Sequence, residues 1–117
     1  MPTYRLRRQA QVDLVFDGVR LAARSSRTSP DQTEWTEVRL YRTDSGRYVG
    51  EPIGRSTDPA EKDMLTVRIV DDVKDVAGTL ERGRPDTRLY LTDMALDVLD
   101  EAAEVDPAIA EAAAERI

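Results

Sequence analysis

The chain has 117 residues with no Cys and no His, and its 23 acids outnumber its 17 bases to give a net charge of −6. That length fits one domain, residues 1–117, whose core needs no disulfide or structural metal. The missing residue types exclude thiolate and imidazole chemistry and the commonest zinc and iron ligands, so no catalytic residue, metal ligand or cofactor is expected.

Residues 1–10 read as a basic arm able to flex, carrying Arg5, Arg7 and Arg8. "QVDLVFDGVRLAARSS" then reads as a hairpin. Asp17-Gly18 between alternating apolar residues suits a type I′ turn, which needs positive φ at both central positions. A two-residue loop there sets Phe16 opposite Val19, Leu14 opposite Leu21 and Val12 opposite Ala23, all six on one buried face. "SRTSPDQTE" is a polar loop. "EWTEVRLYRTDSGRYVGEPI" predicts a second hairpin through Asp44-Ser45-Gly46, with Gly46 left-handed. In that register Tyr41 faces Val49 and Arg39 faces Glu51, while Val38, Leu40 and Tyr48 share the other side. Neither side is cleanly polar, so the hairpin is expected to be covered on both sides or to sit at an interface. Pro52 should end the pairing or mark an edge.

Asp58-Pro59 signals one helical turn, and "MLTVRIV" a further strand. "DDVKDVAGTLERG" places Val73, Val76, Ala77 and Leu80 at helical spacing, with Gly83 as a stop. "TRLYL" reads as a short strand. Thr92 then caps a helix whose apolar side is Ala95, Val98, Leu99, Ala102 and Val105, and Asp106-Pro107 opens another. The sum is an α+β fold: an antiparallel sheet of four to six strands, including two N-terminal hairpins, with C-terminal helices packed on it.

Charge divides unevenly along the chain. Residues 1–57 carry a net of +3 and residues 58–117 a net of −9, with no base between Arg88 and Arg116. The first C-terminal helix lines up Asp93, Asp97, Asp100, Glu101 and Glu104. Acids at i, i+4 repel by roughly 0.2–0.5 kcal/mol per pair on an exposed helix. That stripe reads either as a solvated face that keeps the protein soluble or as a binding surface for a protein partner with a basic surface. The leading reading of function is a non-catalytic interaction or regulatory module acting through this acidic helical surface or a sheet face. The alternative is nucleic-acid binding through Arg5, Arg7, Arg8, Arg20, Arg39, Arg42 and Arg47, with Trp35, Tyr41 and Tyr48 available for stacking. Interleaved acids count against it. Ala102, Ala103, Ile109, Ala113 and Ile117 suggest a homodimer seam.

Other motifs fall short. "GEPIGRST" spaces its glycines one residue too closely for a phosphate loop and has Arg55 where Lys belongs. Asp71, Asp72 and Asp75 suit a helix start, and the acidic helix lacks the spacing of a calcium loop. Ser25, Ser26, Ser45 or Ser56 would need Lys62 beside it to act as a nucleophile, and loop serines are more often turn residues. No signal-peptide pattern or membrane-spanning run is present, so the expected setting is the cytoplasm, away from membranes.

Overall fold

The computed structural model describes residues 1–81 and 91–112 and has the expected α+β architecture. Strands β1 (Thr3–Arg8), β2 (Gln11–Ser25), β3 (Glu34–Thr43) and β4 (Tyr48–Ser56) pair antiparallel in chain order. Two short strands, β5 (Met64–Leu65) and β6 (Arg68–Val70), line the other side of β4. A 3₁₀ helix (Val73–Thr79) follows, then α1 (Asp93–Val105) and α2 (Pro107–Ala112).

There are two N-terminal hairpins, but the first does not turn where the sequence suggests. Asp17-Gly18 lies inside β2, and the turn is Gln9-Ala10, where Arg8 faces Gln11. Arg5, Arg7 and Arg8 therefore belong to a paired strand rather than a free arm. Gly18 does not adopt positive φ; among the described glycines only Gly46 does. Its need for a missing side chain comes from elsewhere. A Cβ on Gly18 would collide with the carbonyl oxygen of Arg42 and lie 2.9 Å from Thr43 Cα. At this point β2 stops pairing with β1 and begins pairing with β3, whose end crosses closely over it. Phe16 and Val19, Leu14 and Leu21, and Val12 and Ala23 are thus not cross-strand partners, and Val12 is 80% exposed instead of core.

A register shift between Arg20 and Ala22 lets β2 change sides. Before it, Leu14 and Phe16 join a cluster with Leu6, Tyr41 and Val49; after it, Ala22 joins the main core with Val38, Leu40 and Tyr48. The β1–β2 hairpin thereby covers one face of the β3–β4 sheet while the helices cover the other. On the hairpin side Tyr4, Phe16 and Tyr41 form an aromatic trio with centroids 4.8–5.6 Å apart.

The second hairpin follows its expected register, with Tyr41 opposite Val49, Arg39 opposite Glu51, and Gly46 at φ 85°. Pro52 does not end it. Pro52 pairs with Val38 inside β4, and its carbonyl accepts from Thr66 N at 3.3 Å. The two backbone groups of a residue point the same way, so the missing N–H of Pro52 faces the break between β5 and β6. That break splits the single strand expected from "MLTVRIV". The Asp58 signal gives a single turn, in which Asp58 accepts from Ala60 N.

The helical side repeats the sequence pattern. Asp72 caps the 3₁₀ helix, and Val76 and Leu80 are buried. Thr92 accepts from Ala95 N at 3.1 Å to cap α1, whose Ala95, Val98, Leu99 and Ala102 enter the core. Burying Val98 and Leu99 contributes about 1.5–3 kcal/mol each. Val105, expected on that side, is 62% exposed as the last residue of α1, before the Asp106 cap. Asp106 is 2% exposed and joins three elements. It accepts from Tyr48 Oη at 2.8 Å, from Arg42 Nη1 at 3.1 Å and from Ala108 N at 3.0 Å. Gly83, the continuation past Ala112 and all of "TRLYL" except Leu91 lie outside the described residues; Leu91 packs on the main core.

Candidate functional site

The acidic stripe forms as the helix geometry requires. Asp93, Asp97, Asp100 and Glu104 are all exposed on the outer side of α1, and no base among the described residues pairs with them. Glu101 differs, because it lies at the margin against β2. Arg24 Nε approaches its Oε2 to 3.1 Å, a charge contact without hydrogen-bond alignment. The open set is therefore four carboxylates, with the fifth engaged internally.

The seven arginines proposed for nucleic acid do not gather into one surface. Arg5 pairs with Asp13 at 3.0 Å, Arg39 with Glu37 and Glu51, Arg42 with Asp106, and Arg47 with Asp71 at 2.6 Å. Arg8 donates to the Val12 carbonyl at 2.9 Å. Arg20 is exposed on β2, away from Arg7 and Arg8 at the hairpin tip. The stacking candidates divide too, with Tyr41 and Tyr48 buried on opposite faces. The homodimer seam also fails as drawn: Ala102 and Ile109 are fully buried within the chain, and Ala113 and Ile117 lie outside the described residues.

One polar constellation was not anticipated as a unit. Trp35, Glu37, Arg39 and Tyr41 on β3 share a sheet face with Arg55, Glu51 and Val49 on β4. Buried Glu51 accepts from Tyr41 Oη at 2.9 Å and from Arg39 Nη1 at 3.3 Å. Glu37 accepts from Arg39 Nη2 at 3.0 Å, Arg55 Nε at 3.0 Å and Trp35 Nε1 at 3.3 Å. Arg55 also donates to Asp63 at 2.8 Å. Burial alone raises the Glu37 pKa, but the hydrogen bonds from Arg55 and Trp35 and the charges of Arg55 and Arg39 outweigh it, leaving a net lowering. Burial, reinforced by Glu51, pushes the Tyr41 hydroxyl well above the usual tyrosine range. Burial and Asp106 raise Tyr48 likewise. The Arg39–Glu51 contact was legible from the hairpin register; the Arg55–Asp63 contact reaches outside the hairpin.

Beyond that network lies an open cleft of about 640 Å³, lined by Trp35, Arg55, Ser26, Ser56, Lys62 and Met64 among others. Arg27 stacks its guanidinium 4.1 Å from the Trp35 ring. Ser26 and Ser56 thus share a cleft with Lys62, but each hydroxyl already accepts a backbone N–H, from Thr36 and Asp58. Ser25 likewise accepts from Arg27 N, and the Ser45 hydroxyl is hydrogen-bonded to the Thr43 hydroxyl at 2.9 Å. "GEPIGRS" is extended strand, not a loop. Asp71 and Asp72 are engaged by Arg47 and Lys74, and the described residues form no carboxylate group suited to a metal. No helix among them is long and apolar enough to cross a membrane.

Compared with known proteins, the chain matches no family model, no curated protein and no solved structure.

Proposed function

We propose that this protein is a non-catalytic interaction or regulatory module that meets a basic partner surface through the outer side of α1. The observation that carries the reading is the contrast between the two charge populations. Arg5, Arg24, Arg39, Arg42, Arg47 and Arg55 all engage carboxylates within the fold. Asp93, Asp97, Asp100 and Glu104 are left exposed without a counter-charge among the described residues. A basic partner would relieve their mutual repulsion and be steered toward them, with an association rate that falls as salt rises. Nucleic-acid binding has less support, because four of its seven arginines are already neutralised.

The test is capture of partners from a lysate on immobilised protein, comparing wild type with Asp97→Lys/Glu104→Lys. Both positions are exposed, so the fold is retained. Partners that are lost with the variant and released by salt support the reading. An unchanged set of partners refutes it, as does tight salt-dependent binding of mixed DNA or RNA that survives the double substitution.

A further inference from the structure

Among the described residues the sheet has two open edges that adjoin one apolar cluster: β1 pairs only with β2, and β6 only with β4. Pro2 O accepts from Gly18 N at 3.1 Å, so Pro2, Tyr4 and Leu6 direct their backbone groups toward β2. Thr3 and Arg5 therefore turn N–H and C=O outward, ready to pair with another strand. Tyr4 and Leu6 belong to the same cluster as Val67 and Ile69, which lie at the other open edge.

Near the hairpin tip is a groove of about 500 Å³, lined by Arg7, Arg8, Glu61, Lys62, Asp63 and Leu65. Asp63 is already held by Arg55 at 2.8 Å. Among the described lining residues, Arg7, Arg8 and Lys62 are thus offset by Glu61 alone, and the groove favours a negative occupant.

We propose that this edge takes an extended peptide strand of alternating acidic and apolar residues, supplied by a partner protein. Alternation is what strand geometry demands here. Apolar side chains on one side of the added strand would extend the cluster at Tyr4 and Leu6. Carboxylates on the other side would meet Arg7 and the groove. A second copy pairing through its own β1 would set arginines against arginines, which destabilises directly opposed strands. This surface goes beyond the α1 reading and lies on the opposite side of the sheet.

The experiment titrates a labelled peptide of alternating Glu and Val into the full chain, followed by anisotropy. The controls are a Lys-for-Glu peptide and a Glu–Val peptide N-methylated on alternate amides. The expected result is binding of the acidic peptide roughly tenfold or more tighter than either control. It weakens by a similar factor in Arg7→Glu/Arg8→Glu, and the Thr3 and Arg5 amides exchange more slowly in the complex. Absence of binding, equal binding of the N-methylated peptide, or unchanged exchange at Thr3 and Arg5 overturns the proposal. Protection of those amides by self-association without peptide also overturns it, assigning the edge to a second copy.

Discussion

Gly50→Ala tests how the helical layer sits on the sheet. Gly50 lies mid-strand in β4, opposite Leu40 on one side and Arg68 on the other. A Cβ there would come within 2.5 Å of Thr79 Cβ and would also collide with the Thr79 hydroxyl and carbonyl oxygens. Ordinary contact begins near 3.4 Å, so the two elements must part by about 1 Å. Thr79 is fully buried and flanked by the core residues Val76 and Leu80, which must move with it. Overpacking of this kind destabilises by about 1–3 kcal/mol. For a chain of this size that lowers Tm by about 4 °C for each kcal/mol. Thr79→Ala does not rescue the variant, since the carbonyl and Cβ remain. The control is Gly78→Ala, one residue earlier on the same helix, where a Cβ meets nothing within 4 Å. That substitution should be neutral or stabilise by about 0.4–1 kcal/mol through the unfolded chain. Urea melts of the two variants decide the matter. If Gly50→Ala unfolds no earlier than Gly78→Ala, the close seating of the 3₁₀ helix on β4 is wrong.

Tyr41→Phe should destabilise by about 1–3 kcal/mol, because 5%-exposed Glu51 loses its best-placed donor and keeps, among the described residues, only Arg39 at 3.3 Å; an unchanged urea midpoint would refute a working Tyr41–Glu51 bond. Stability should also fall at both ends of the pH range. The folded Glu37 pKa is below its ordinary 4.5, so its contribution is whole above that value and lost as pH drops through the lower folded value. Tyr41 and Tyr48 are raised above 10, so their contribution is whole below pH 10 and is lost above it. The alkaline loss approaches about 1.4 kcal/mol per pH unit for each tyrosine. Urea midpoints that stay flat above pH 10, or that lose no alkaline slope in Tyr41→Phe, contradict this account.

What was legible in the sequence was local. The Asp44-Ser45-Gly46 turn, the Thr92 cap, the Asp106-Pro107 restart and the four apolar positions of α1 each follow from a signal a few residues long. The first hairpin failed because its real turn carries no such signal: Gln9-Ala10 puts Ala10 at φ 56°, where Gly or Asn would be usual. Asp-Gly meanwhile imitates a turn, since close backbone approach and positive φ both call for glycine. The acidic stripe was visible because helical spacing alone generates it. Its reduction to four open carboxylates was not, since Arg24 reaches Glu101 across 77 positions of chain. Nor was the edge position of β1, where residues 3–8 pair with β2 on one side and with no described residue on the other.

Chain order adds a consequence for how the protein is made. All of the long strands precede Asp93, whereas Val98, Leu99 and Ile109, which cover Val38, Leu40 and Tyr48, come after it. A ribosome therefore delivers the sheet before most of its lid. Through that interval one side of the nascent sheet is bare apolar surface, so aggregation is expected to compete most strongly with folding before α1 can dock.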